Sequence, residues 1–359
     1  MVLEKLSEGN EKQWTDFVEN NSYSKFHHTL DFKRFLENTY KNCNPFYFMS
    51  IKNNKVNALF PFFLVKSKLF KDRLISLPFF DNGGFLGEYA QEDLKELIIE
   101  LKKIPGLKGV EIKLNSFLNE YKTNRNIFLE EGFAEEDSKN QIVLELKNKE
   151  ELWEDFDRMT KKGIKKAEKS GLTLKEIGEE NELKKFYKIY LKNMKDFGSP
   201  QHSYKYFANL FNYMKEEFKG LNCYKGEELI GSLIVLCYND LIYAAYNSSE
   251  RKFLKYQPND LLHWELIKWG AEKGIKYFDF GQCDKDAEKG NHAEGIFRFK
   301  SKWKGKIYDK KSFYYNLSKD KNSKENKKNN LKKFRAVWKK LPLPILKIIG
   351  PKINSQLGI

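Results

Sequence analysis

The run Phe297-Arg298-Phe299-Lys300-Ser301-Lys302-Trp303 alternates apolar and cationic residues. On a strand, such alternation puts Arg298 and Lys300 on one face. Two cations on one face suit a reaction in which negative charge grows on an oxygen, as in acyl transfer. A solvated strand edge has the same pattern. Asp279, in Phe278-Asp279-Phe280-Gly281, ends an expected strand. A carboxylate there can take a proton from an attacking amine, directly or through water, or can turn inward as a cap. Asp260 has the same double reading, with helix N-capping favoured. Tyr246 and Tyr256 could donate to a phosphate or carbonyl, or be buried strand tyrosines.

Other stretches carry polar groups at turns. In Phe197-Gly198-Ser199-Pro200-Gln201-His202-Ser203, Gly and Pro fix the turn; Ser199 and His202 meet a ligand, or the segment serves helix capping by Ser199 or Ser203. Asp81-Asn82-Gly83-Gly84 reads as a hairpin turn, or as a place where glycines let a substrate approach the backbone. On a helix, Arg158, Lys162, Lys165, Lys166 and Lys169 cluster on one face. That face is either a phosphate clamp or a solvated surface. No Ser/His/Asp or Cys/His arrangement stands out, so direct attack within a ternary complex is expected rather than a covalent intermediate. Five scattered histidines show no ligand spacing, and no metal site is expected.

The elements that would position these residues form one pattern used twice. In the C-terminal half, Leu229–Tyr238 and Leu241–Tyr246 read as a hairpin, Leu261–Lys273 as a helix stopped by Gly274, and Lys276–Phe280 as a strand. In the N-terminal half, Lys55–Val65 and Arg73–Leu77 are strands, Leu94–Lys103 a helix, and Gly106–Lys113 the next strand. A repeat of about 150 residues suits a duplicated domain rather than a solenoid. The expected division is 1–147, 148–318 and a basic tail, 319–359.

The 359 residues carry 65 Lys plus Arg against 50 Asp plus Glu, a net charge of +15. The last 41 hold eleven Lys and one Arg against one Asp and one Glu, so two-thirds of the excess lies in the tail. A near-neutral body with few arginines disfavours sequence-specific DNA binding. The four cysteines are scattered and the N-terminus has no apolar signal core, so a reduced, cytoplasmic protein is expected. In the tail, Leu331, Phe334, Val337, Trp338 and Leu341 share one face of a basic helix. That reads as an interfacial membrane anchor or as a face docked on the body. Residues 319–330 read as a mobile polar linker.

Taken together, four stretches resemble the Fem-type peptidoglycan aminoacyltransferases and their FemAB-like (BioF2-like) relatives in the GNAT acyltransferase superfamily. They are Arg73–Gly84, Phe197–Ser203, Asn259–Glu265 with Phe278–Gly281, and Phe297–Trp303; the end Leu341–Pro351 resembles FemAB-like termini too. The resemblance implies an α/β (α+β) fold of two tandem GNAT-like domains. It implies an enzyme that forms an amide on an amine-bearing acceptor, a phosphate-bearing or lipid-linked cell-envelope precursor. It puts Lys300, in a Phe-Lys motif, beside the transferring carbonyl as a catalytic residue, with Arg298 beside it; Asp279, from its place at a strand end, is the expected catalytic carboxylate. It places Asn82 and Gly83 at a central groove and Ser199 and His202 along the acceptor. It also favours a phosphate clamp at Arg158 and Lys162; Tyr256 is a further expected substrate contact on its residue type. No resident cofactor is implied. The glycine pattern that cradles CoA pyrophosphate is missing from Leu254–Asp260 and Leu86–Asp93, which favours aminoacyl-tRNA over acyl-CoA as donor. The alternatives are a CoA-dependent N-acyltransferase acting on a sugar or polyamine, or a non-catalytic membrane- or RNA-binding module. The location expected is the cytoplasm, peripheral on the inner face of the cell membrane.

Overall fold

The computed structural model describes residues 2–81, 83–114, 117, 120–317 and 333–358. They fall into two compact units. One runs up to Asn140 and takes back the chain after Tyr308 and again from Asn354. The other runs from Gln141 to Ile307 and takes the tail up to Ile353.

The first unit begins with β1 (Val2–Lys5), α1 (Glu11–Glu19) and α2 (Leu30–Thr39). There follow β2 (Cys43–Lys52), β3 (Lys55–Val65), β4 (Arg73–Ile75), β5 (Leu86–Gly87), α3 (Gln91–Lys102), β6 (Gly109–Lys113) and α4 (Glu120–Glu130). β2, β3 and β4 pair antiparallel, and β6, reached through α3, lies parallel to β4. Phe60, Phe62, Leu94, Leu97, Ile112 and Phe128 are sealed in the core under α3. β7 (Ala134–Glu145) carries the chain into the second unit.

The second unit holds α5 (Lys149–Asp155), α6 (Arg158–Lys169), β8 (Leu172–Glu176), α7 (Glu180–Phe197), α8 (Tyr204–Tyr213), β9 (Phe218–Lys225), β10 (Glu228–Tyr238) and β11 (Leu241–Ser249). It continues with α9 (Pro258–Glu272), β12 (Tyr277–Cys283) and α10 (His292–Ser301). β9, β10 and β11 form an antiparallel meander, and β12, reached through α9, lies parallel to β11. The meander, helix and parallel strand of the first unit are thus repeated. Ile230, Leu233, Val235, Leu262, Leu266, Phe278 and Trp303 fill this second core. β13 (Lys306–Asn316) then returns to the first unit and pairs antiparallel with β6.

The tail forms α11 over 333–340 and α12 (Leu343–Leu357). Trp338 and Leu346 are buried against the second unit, where Gln201 donates to the Leu346 carbonyl and Gly350 passes so close to Gln201 that a Cβ would meet its amide at 2.4 Å. One face of the tail is therefore docked. Val337, Ile345 and Ile348 stay 60%, 44% and 64% exposed on another. Leu331 and the linker 319–330 lie outside the described residues. Among the described residues, no helix is long and apolar enough to cross a membrane.

Candidate active site

β11 and β12 pair at only three positions, Leu241 with Tyr277, Ile242 with Phe278, and Tyr243 with Asp279. Beyond them β11 runs on to Ser249 and β12 to Cys283 without further mutual pairing. Parallel strands that stop pairing in mid-sheet leave the later backbone groups of each without the other as a ladder partner. At the far end of β11, Asn193 on α7 takes the place of a strand neighbour. Its side-chain amide donates to the Ser249 carbonyl and accepts from the Ser249 N–H, both at 2.9 Å.

Asp279 sits where the strands part and is 1% exposed. Its carboxylate accepts from the Gly281 N–H at 2.8 Å and from the Gln141 side-chain amide. Gly281 has φ 73°, a left-handed conformation that costs glycine little and bends β12 back toward the carboxylate.

Lys300 reaches the same strand. Its Nζ donates to the Gln282 carbonyl at 2.9 Å. The stretch around it is a helix, not the strand expected from its alternation. Asn291 caps α10 by accepting from the Glu294 N–H at 2.9 Å, and Glu294 answers by accepting from the Gly290 N–H. On a helix, residues two apart point about 200° from one another. Arg298 therefore does not share the face of Lys300; it is solvent-exposed while Lys300 faces β12. Phe299 and Trp303 turn into the core beside His263.

The entrance to α9 carries a charge pair. Gln257 adopts a left-handed conformation as N-cap and Pro258 opens the helix, so Asp260 is not the cap that the sequence suggested. Asp260 is 2% exposed and accepts from Lys302 Nζ. Burial raises the Asp260 pKa, and Lys302 pulls it back. Gly163 of α6 lies against this carboxylate, and a Cβ there would meet Oδ1 at 2.4 Å. His263, one turn on, is buried; its Nδ1 lies 2.7 Å from the Asn259 carbonyl, and desolvation pushes its pKa down to about 3. The first turn of α9, the position at which a phosphate would use a helix N-terminus, already holds a buried carboxylate and begins with a residue that has no N–H.

The remaining expected residues are dispersed. Ser199 closes α7, its N–H bonded to the Met194 carbonyl, and Ser203 rather than Ser199 caps α8. His202 is 6% exposed, stacked on Tyr206 at 3.8 Å inside a box of tyrosines, and desolvation lowers its pKa to about 3. Tyr256 ends a short 3₁₀ turn with Lys225 and Lys255 over its ring. Arg158 and Lys162 stand exposed on α6. In the first unit, Gly83 bridges to Lys113 and has Leu77 packed where a side chain would go. Its lack of a Cβ serves that internal contact, and the loop is no two-residue hairpin. Asn82 lies outside the described residues.

Sequence reasoning missed three participants. Lys302 pairs with Asp260, His263 is buried one turn on along α9, and Gln141 orients Asp279. Glu294, three residues after Asn291, was the legible signal for α10. In the first unit it also missed Lys113. That residue is 6% exposed, donates to the Leu77 and Phe80 carbonyls at 3.0 and 3.1 Å, and has a pKa lowered by burial.

Residues 155–301 match the acetyltransferase (GNAT) domain family. Over 79 residues the chain is 30% identical to a lipid II:glycine glycyltransferase of Staphylococcus epidermidis, a stretch that is 22% of this chain and 19% of that protein. The chain thus spans about a fifth of the length of the curated relatives it matches. Among solved structures, the crystal structure of FemX superposes with a TM-score of 0.72 at 14% identity, over 88% of this chain and 98% of that one. A tandem GNAT protein from the clavulanic acid biosynthesis pathway gives 0.57 at 10% identity, over 89% and 99%. The fold is α/β and GNAT-like, and the likeness to Fem-type proteins read from the four motifs is present in sequence and in architecture.

Proposed function

We propose that the chain is an acyl- or aminoacyltransferase that forms an amide on an amine-bearing, lipid-linked cell-envelope precursor. The observation that carries this reading is the end of pairing between β11 and β12, with Asp279 at the last pair and Lys300 bound to β12 beyond it; we take the opening between the strands as the cleft. The donor's carbonyl lies in the cleft and the acceptor amine attacks it. Negative charge then develops on the carbonyl oxygen, and Lys300 stabilises it by moving its ammonium from the Gln282 carbonyl to that oxygen. The amine must lose a proton, and Asp279, oriented by Gln141 and Gly281, accepts it directly or through one water. Collapse of the tetrahedral centre expels the donor's leaving group, which takes up the proton. Ser199, Tyr256, Arg158 and Lys162 are the proposed outlying substrate contacts, and Asn82 and Gly83 those of the first unit.

The similarity to a lipid II:glycine glycyltransferase supports the choice of acceptor. The filled entrance of α9 argues against a CoA pyrophosphate there and for aminoacyl-tRNA as donor. The exposed Val337, Ile345 and Ile348, interspersed with Lys339, Lys340 and Lys347, support contact with an anionic membrane surface. That would hold the protein on the inner face of the cell membrane. We read 1–147 and 148–318 as two copies of one module, followed by the 319–359 tail.

A transfer assay with charged tRNA and a lipid-linked muropeptide tests the reading. Lys300→Ala is expected to lose at least about 100-fold in turnover with its circular dichroism unchanged. Full turnover by that folded variant overturns the mechanism. Tight calorimetric binding of CoA overturns the tRNA donor.

A further inference from the structure

One end of the first unit's sheet carries an apolar tip among lysines. Cys43, Val65, Arg73 and Gly109 are register partners in one row across β2, β3, β4 and β6. The chain just beyond that row holds Lys41, Lys66, Lys68, Lys71 and Lys108, all exposed. Lys41, Lys66, Lys68 and Lys108 have no ion pair among the described residues. The one carboxylate of the loop between β3 and β4, Asp72, accepts from the Ser67 N–H at 2.9 Å. At the tip of that loop, Leu69 and Phe70 stand 60% and 43% exposed.

Hydrogen bonds fix the loop in this form. The Lys68 and Leu69 N–H groups donate to the side-chain oxygen of Gln356 at 2.9 and 3.2 Å, and the Phe70 N–H donates to the Ser67 hydroxyl at 2.7 Å. The Lys66 N–H donates to the Asn42 carbonyl at 2.8 Å, and the Asn42 side-chain amide donates to the Lys66 carbonyl at 2.9 Å. The five successive N–H groups from Lys66 to Phe70 are thus bound within the protein. Entry into a lipid interface strips water from peptide groups, and N–H groups already bound internally lose little by it.

We propose that the loop 66–72 inserts Leu69 and Phe70 into an anionic bilayer surface, while Lys41, Lys66, Lys68, Lys71 and Lys108 meet the lipid headgroups. Two apolar side chains make too small a patch for a stable protein partner, whereas a bilayer gains from each side chain that enters it. A nucleic acid would use the lysines and leave Leu69 in water, since Leu69 has no ring on which a base could stack. The lysines add attraction, about fivefold in affinity for each one near an anionic surface. None of these residues belongs to the tail face of α11 and α12, so the inference goes beyond the acyl-transfer reading and does not depend on it.

Co-sedimentation of the full chain with vesicles of mixed phosphatidylglycerol and phosphatidylcholine tests it, against vesicles of phosphatidylcholine alone. Leu69→Ser with Phe70→Ser is expected to weaken binding to the anionic vesicles about 10- to 100-fold, with circular dichroism unchanged. Lys66→Gln with Lys68→Gln is expected to weaken it about 25-fold at low salt and much less at high salt. Phe70→Cys carrying an environment-sensitive fluorophore is expected to shift its emission to the blue on the anionic vesicles. Full vesicle binding by either double variant, or a fluorophore that stays in water, overturns the proposal. Self-association that is lost in Leu69→Ser with Phe70→Ser while vesicle binding persists also overturns it, and makes the tip a contact between copies of the chain. Ile345→Ser with Ile348→Ser judges the tail contact separately, and the Lys300→Ala turnover assay judges the reaction.

Discussion

Lys302 reaches from the end of α10 to the carboxylate of Asp260, which is 2% exposed on the first turn of α9. The pair ties the helix that follows β11 to the helix that carries Lys300. A buried carboxylate is tolerated only while its counter-ion stays, because the desolvation cost of the lone charge is large.

Removing that counter-ion is therefore the most severe change expected near the site. Lys302→Met should destabilise the protein by about 3–5 kcal/mol. Adding Asp260→Asn, which removes the stranded charge, should restore a good part of the loss. Urea midpoints of the two single variants and the double variant check this. Equal losses in Lys302→Met and in the double variant would contradict it.

Gly163 faces the same carboxylate with no room for a methyl group. Gly163→Ala has ordinary helical backbone and would gain helix propensity on a solvated surface. Here the clash should dominate, with a net loss of about 1–3 kcal/mol and a lower melting temperature. A rise in melting temperature would show that α6 and α9 are looser than described.

His202 and His263 are both buried, with pKa values lowered to about 3 by desolvation. In the unfolded chain each titrates near 6.5. Between those values the unfolded chain binds the protons and the folded one does not. Their contribution is complete above about pH 6.5 and is lost as pH falls toward 3. Each adds up to about 1.4 kcal/mol per pH unit to the slope. His263→Phe, placed among Phe280, Phe299 and Trp303, should make the acid limb of the stability curve shallower by one such increment. An unchanged slope in acid titrations of stability would show that His263 is charged in the folded state.

Trp338 is 2% exposed and stacks on Phe334, and Gln201 holds the start of α12. Trp338→Ala should expose the 333–340 helix to trypsin and raise its cleavage rate about 10-fold or more, since a large side chain leaves a close-packed site. Unaltered cleavage would mean that the contact contributes little.

The repeated meander and crossover were legible because β-rich apolar runs, turn residues and a helix-stopping glycine mark each element at short range. The Phe297–Trp303 segment was misread for a physical reason. Phe297, Phe299 and the intervening cations fit a period of two, yet Ile296, Phe299 and Trp303 also fit one helical face. The Asn291–Glu294 cap decides between them. Pro258 at the first helical position likewise marked the entrance of α9 more truly than the Asn-Asp pair after it. The pairing of Asp260 with Lys302 could not be read locally, because the two residues lie 42 positions apart and meet only in the folded chain.

The parting of β11 from β12 has a consequence for selectivity. Peptide groups along a sheet are spaced to receive another peptide, and Asn193 already imitates one at Ser249. A guest with amides at strand spacing can lie in the opening as a short added strand, gaining hydrogen bonds that do not depend on its side chains. On the acyl-transfer reading, the opening would discriminate by backbone chemistry and tolerate variety in the guest's side chains.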